Sequence, residues 1–376
     1  MNSGISIDHS RLKLLIGVGL IPVVFIFLQL MALDSSFLGF SYWFLPDSIS
    51  NLTLSKQLSS GEIAVDNILA SLAVPLYYSL FSPFSFFGFF CANIILFIFV
   101  IRHYGYLGIY IPLLLFPYYL QSLVLPSEDI LVLISYFLVG SLLIYDRYLI
   151  ALACSLLAYF VRDGGAVVLC SMVISSFFIL KYRWKPLFFI TLCFLLGVIV
   201  SFFLDQLADY FFIFSRNLYA AKNSSSQAIL DLSPGVAYIA RIFFNLTNPI
   251  ARLPFLDSEG SISIASIFIY LSGLSTFVCL LLSCKYLNDS DIKSRLVSFY
   301  YFLSILIISV NPLVQSRYQF PIAVLSMTFL AKKSNLRVLI LMYSVSALLG
   351  FSLRLIYTLY YPIPDLEVYE FDFSSI

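Results

Sequence analysis

Charged residues are scarce in this sequence. They fill 11% of its 376 positions, against about 25% in a soluble domain, which is too little polar surface to coat a water-soluble globule. Histidine is nearly absent: His9 and His103 are the only two, and a His-based metal site is excluded. The six cysteines lie in or at the end of apolar runs and none forms a C-x-x-C pair, so they read as small apolar fillers rather than as zinc or redox sites. No basic run accompanies the net charge of +1, which leaves no footprint for nucleic acid. Internal repeats and low-complexity tracts are also missing.

What fills the chain is hydrocarbon: 61% hydrophobic residues and 18% aromatic ones. With a bilayer as the main solvent, the backbone must close its own hydrogen bonds, as helices or as a barrel. The apolar runs are long and show no period of two, so helices are expected. Eleven spans are predicted, over 12–33, 84–101, 106–124, 130–145, 148–161, 165–180, 186–204, 262–283, 296–310, 319–331 and 336–356. The first is too long for a signal-peptide core and lacks a small-x-small cleavage site, so a retained helix is expected. Residues 67–82, with Pro75 and Pro83, read as a broken or re-entrant segment, with a span of their own as the alternative. The expected fold is an all-α, polytopic transmembrane bundle of about 11 spans, forming a single domain over 1–376.

With the N-terminus in the cytoplasm, thirteen of the 21 basic residues fall in inner loops, as the positive-inside tendency requires, and sixteen of the 20 acids fall at or near the outer face. The long outer segments are 34–67, 205–261 and the acidic tail 357–376. Ser50–Gly61 is expected as a short surface helix. Val236–Leu246 is expected as a short amphipathic or re-entrant helix.

The stretch Arg162-Asp163-Gly164-Gly165 breaks an otherwise apolar run from Tyr148 to Leu180. A charge left in hydrocarbon costs roughly 2.5–3.5 kcal/mol on insertion scales, so this break marks a turn at the outer surface, facing a polar site. Arg162, Arg216, Arg241, Arg252 and Arg317 all fall on that outer side, against the usual tendency. A guanidinium fork matches phosphate oxygens in a bidentate way, so the set points to an anionic lipid head group. The plainer alternative pairs each with a local acid: Arg162 with Asp163, Arg252 with Asp257 or Glu259. Asp163 and Tyr318 are assigned to the sugar. Asp47 is either a general base or a cap. Glu128-Asp129 is catalytic, or binds a divalent cation, or caps the following helix together with Ser127. No cofactor and no metal site are predicted.

The order of these features is that of a known architecture: a helix, an outer acidic loop with a surface helix, Pro75-Leu76-Tyr77-Tyr78, then Ser127-Glu128-Asp129 and a late Arg317-Tyr318-x-x-Pro321. It resembles the membrane glycosyltransferases of the GT-C superfamily and, at this length, the Wzy/EpsG-like oligosaccharide repeat-unit polymerases. The resemblance implies a hexosyltransferase-type enzyme of the bacterial inner membrane. Its donor would be a saccharide on polyprenyl (pyro)phosphate, its companions a flippase and chain-length regulators. Arg162, Arg216, Arg241 and Arg317 would hold the phosphates, and Asp47 would be the base. Here Asp47 is followed by Ser48, where GT-C enzymes often carry a second acid. Two alternatives stay open: a GT-C enzyme adding one sugar from polyprenyl phosphate, and a flippase or transporter of lipid-linked sugars.

Overall fold

A computed structural model describes residues 40–41, 46–61, 73–105, 110–120, 126–210, 218–219, 221–222, 227–251, 262–312 and 316–360. Helices make up nearly all of them. The only strands among them are a parallel pairing of two residues, Phe40–Ser41 (β1) with Ile262–Ser263 (β2), in the register Phe40 to Ile262. The predicted first span, 12–33, lies outside the described residues, as do Arg216, Arg252 and the tail beyond Tyr360.

Long apolar runs become helices because a helix alone satisfies its backbone without water. In chain order these are α1 (Pro46–Ser60), α2 (Ala73–Ser79), α3 (Ser85–Tyr104), α4 (Glu128–Ile144), α5 (Tyr148–Leu157), α6 (Asp163–Tyr182), α7 (Pro186–Phe202), α8 (Leu204–Tyr210), α9 (Gln227–Leu230), α10 (Pro234–Ala251), α11 (Ile264–Tyr286), α12 (Ile292–Ile308), α13 (Phe320–Leu330) and α14 (Leu336–Tyr360). Three stretches, Gly164–Tyr182, Ile267–Tyr286 and Leu336–Leu353, are long and apolar enough to cross a membrane, as expected of a membrane protein. Large apolar side chains face outward, such as Leu149 at 85% and Leu348 at 69% exposure. An apolar surface of this kind is a liability in water and ordinary in lipid.

Two expectations are corrected. The run 106–124 is not one regular helix where it is described. Pro112 and Pro117 break it into a π turn (Ile111–Leu115) and a 3-10 turn (Pro117–Tyr119), because proline lacks the N–H that helix propagation needs. The expected short helix 236–246 is longer: α10 spans 18 residues and packs against α7, α11 and α14. At its crossing with α7 the ring of Tyr238 lies against Gly197. A Cβ built on Gly197 would fall 2.2 Å from Tyr238 Cζ, so only glycine fits there.

Short turns join α4 to α5, α6 to α7 and α11 to α12, and each pair packs together, so these neighbours run antiparallel. α4, α6 and α13 therefore begin at the end of the bundle where α5, α7 and α12 finish. The turns and helix ends at the opposite end carry Arg147, Lys181, Arg183, Lys185, Lys285 and Lys333. Several buried hydroxyls are satisfied within the bundle. Ser155 Oγ donates to Ala151 O at 2.8 Å and Ser304 Oγ to Tyr300 O at 2.7 Å, while Tyr301 Oη crosses to Thr276 O at 2.8 Å. Five cysteines are buried or half-buried and Cys284 is exposed; all six are free.

Candidate functional site

Four segments meet where α4 and α6 begin. Glu128 and Asp129 form the first turn of α4, a position where the helix N-terminus favours anions. Arg162 is the extended residue just before α6, and its guanidinium reaches across to both acids. Nη1 lies 2.8 Å from Asp129 Oδ1, and Nη2 pairs with Glu128 Oε1. The third segment is the 3-10 turn Pro117–Tyr119. Tyr118 Oη donates to the second oxygen, Asp129 Oδ2, while Tyr118 N is held by Ser272 Oγ of α11 at 3.0 Å. The fourth is another 3-10 turn, Ser316–Gln319. It places the Tyr318 ring 4.8 Å from Arg162 Cζ and 5.9 Å from Arg317 Cζ.

The side chains of Arg162, Glu128 and Asp129 keep only 13%, 20% and 6% of their exposure. Burial works against the Asp129 charge. Arg162 and Arg317, with the hydrogen bonds from Tyr118 and Arg162, outweigh it and hold this carboxyl below its ordinary range. Asp129 is thus a fixed anion with both oxygens engaged. A general base needs a pKa near the working pH, so Asp129 serves better as the anchor of Arg162 than as a proton acceptor. Tyr119, next in the turn, is fully buried, and its hydroxyl has no hydrogen-bond partner among the described residues.

Arg162 pairs with both acids of α4, which the local pairing considered for it, with Asp163, did not include. Asp163 opens α6, but its side chain lies outside the described residues. The Ser127 cap is also absent: the residue is extended with no side-chain cap bond, and its carbonyl instead accepts from Tyr78 Oη at 3.4 Å. Asp47 sits in the first turn of α1, with its side chain outside the described residues. Among the described residues no group of three or more His, Cys, Asp or Glu side chains gathers.

Arg241 is at the same end of the bundle but in a separate cluster, only 1% exposed. Its Nε donates to Ser309 O at 2.9 Å and its Nη2 to Ser201 Oγ at 2.6 Å. None of the ion pairs among the described residues includes it. Ser309 is the C-terminal cap of α12 and Ser201 lies at the end of α7, so the guanidinium faces two negative helix ends. Of the predicted arginines, then, Arg162 and Arg317 come together around Tyr318, and Arg241 does not join them.

Sequence reasoning missed Tyr118 and Tyr119. The signal was a tyrosine pair directly after Pro117, inside a run read as uniformly apolar. No family model, no curated protein and no solved structure matches the chain.

Proposed function

We propose that this end of the bundle binds the pyrophosphate of a polyprenyl-linked saccharide and that the protein is a GT-C-type membrane glycosyltransferase. In this reading it is a polymerase joining lipid-linked repeat units of a surface polysaccharide. It would cross the bacterial inner membrane about eleven times, with its N-terminus cytoplasmic and this site on the outer face. The observation that carries the reading is the meeting of Arg162, Arg317 and Tyr318 with Glu128 and Asp129, drawn from turns far apart in sequence. Two guanidinium groups beside an aromatic ring suit a phosphate next to a sugar, since sugars lie well against aromatic faces and phosphate fits the arginine fork.

In the reaction, a hydroxyl oxygen of one repeat unit gives its electron pair to the anomeric carbon of another. The bond from that carbon to the pyrophosphate oxygen breaks, and the pyrophosphate leaves with the electrons. Arg162 and Arg317 stabilise the charge that builds on it. The hydroxyl proton passes to a carboxylate, Glu128 or Asp47, or to the departing pyrophosphate. The same site would serve transfer of a single sugar from polyprenyl phosphate.

The test is the polysaccharide profile of a deletion strain. One capped repeat unit supports the polymerase; a truncated unit shifts the reading to the single-sugar transferase; an unchanged ladder sinks both. In the complemented strain, Arg317→Ala and Arg162→Lys are expected to abolish polymer at unchanged protein level. The lysine keeps the charge beside Glu128 and Asp129 but loses the fork.

A further inference from the structure

The turn that presents Arg317 and Tyr318 is held from behind by α10. Pro249 lies inside α10 and has no N–H, so the carbonyl four residues earlier, that of Asn245, loses its helical donor. A buried carbonyl without a partner is costly. Here Gln319 supplies the missing donor: its Nε2 lies 2.6 Å from Asn245 O. Gln319 is the last residue of the turn Ser316–Gln319, adjacent to Tyr318, and both Gln319 and Asn245 are fully buried.

The opposite side of Asn245 is tied down as well. Its Nδ2 donates to Ser309 Oγ at 3.0 Å, and one helical turn earlier Arg241 grips Ser309 O and Ser201 Oγ. A chain of contacts therefore runs from the ends of α7 and α12, through Arg241 and Asn245 of α10, to Gln319, and so to the ring beside Arg162.

We propose that Pro249 and Gln319 are positioning residues: the carbonyl freed by Pro249 is the docking point that sets Tyr318 and Arg317 against Arg162. Neither residue need touch substrate. Arg241 belongs to the same device as its anchor on α7 and α12, not as a phosphate ligand.

The decisive variant is Pro249→Ala. It restores an N–H at position 249, which then competes with Gln319 for the Asn245 carbonyl. The helix gains a hydrogen bond while the turn loses its hold. A purely structural role would make the variant neutral or stabilising, with no effect at the site.

The readout is an indole at position 318, introduced by Tyr318→Trp in full-length protein whose Trp43 and Trp184 are replaced by phenylalanine, in lipid nanodiscs. Acrylamide quenching of this indole is expected to rise in Pro249→Ala and in Gln319→Leu, at equal or higher Tm for Pro249→Ala. In the chain with Tyr318 intact, farnesyl pyrophosphate binding is expected to weaken about three- to tenfold in each, the scale of one hydrogen bond. The double variant should add nothing, because both changes cut one contact. Unchanged quenching in Pro249→Ala, or additive losses in the double variant, would overturn the proposal. If Gln319→Leu does not fold, Pro249→Ala alone decides the matter.

The binding arm rests on the phosphate reading; the quenching arm does not. Arg162→Lys with undiminished farnesyl pyrophosphate binding would sink the phosphate reading and leave the docking of the turn to stand or fall on quenching.

Discussion

Arg162 and Arg241 lie at one end of the same bundle, and each guanidinium is almost wholly removed from water. Their charges are answered in different ways. Arg162 faces two carboxylates from the first turn of α4. Arg241 faces a carbonyl and a hydroxyl at the finishing ends of α12 and α7. Carboxylates can exchange partners when an anionic ligand arrives, because the arginine then has a second acceptor of the same kind. A carbonyl at a helix end is part of the scaffold and cannot. Arg162 also keeps some exposure, 13% of its side chain, whereas Arg241 is sealed at 1%. A buried arginine at the end of a helical bundle is therefore not enough to mark a ligand site; what answers its charge decides.

The comparison breaks most sharply by removing each charge. Arg162→Met takes away the guanidinium that pairs with both Glu128 and Asp129. Breaking a buried pair in this way costs about 3–5 kcal/mol, and thermal unfolding in detergent should show the largest loss of any single change discussed. Adding Glu128→Gln and Asp129→Asn should recover much of that stability while activity stays absent, since the excess of buried negative charge and not the missing contact is the main penalty. Failure of the triple variant to recover would mean that packing around Arg162 outweighs its electrostatics.

Arg241→Met is expected to lose less, about 1–3 kcal/mol, because it leaves a carbonyl and a hydroxyl short of donors but no carboxylate unpaired. Equal losses at the two positions, read in the same unfolding assay, would erase the distinction between an ion pair and a helix-end contact.

Much of the helical framework was legible because the apolar runs have no other way to satisfy their backbone. The boundaries of α4, α6, α7 and α13 fall within two residues of the expected spans at every end. The run 106–124 was misread because Pro112 and Pro117 were weighed less than the hydrocarbon around them. α10 was drawn too short, ending at Leu246, as an amphipathic or re-entrant segment, whereas its Arg241 and Asn245 find buried partners at the bundle end. At the site, charges at span ends stood out, but pairing did not. Sequence proximity suggested Asp163 for Arg162 and gave no hint of the hydrogen bond to Asp129, 33 positions away. The link from Gln319 to Asn245 was half visible: a proline inside a helix always frees the carbonyl four residues back. Which donor would fill it needed the fold.

The smallest effect is expected at the opposite end, where the same kind of ion pair sits in water. Lys333 Nζ lies 2.5 Å from Asp291 Oδ2 and 3.2 Å from Asp289 Oδ2, with the lysine side chain 36% exposed. The hydrogen bond from Lys333 is the main cause that pulls the Asp291 carboxyl down to about 2. Because the folded value lies below the ordinary 3.8, the stabilisation is present above that ordinary value and fades as pH falls toward about 2. At pH 7 it is fully present yet small, since exposed pairs are screened by water and salt. Lys333→Met should therefore leave Tm at neutral pH nearly unchanged, and should flatten whatever fall in Tm the parent protein shows in the acid range that is due to this pair. A loss as large as that of Arg162→Met, persisting at high salt, would mean that burial is not what separates the strong pair from the weak one. The case for Arg162 as the centre of the site would then lose its physical basis.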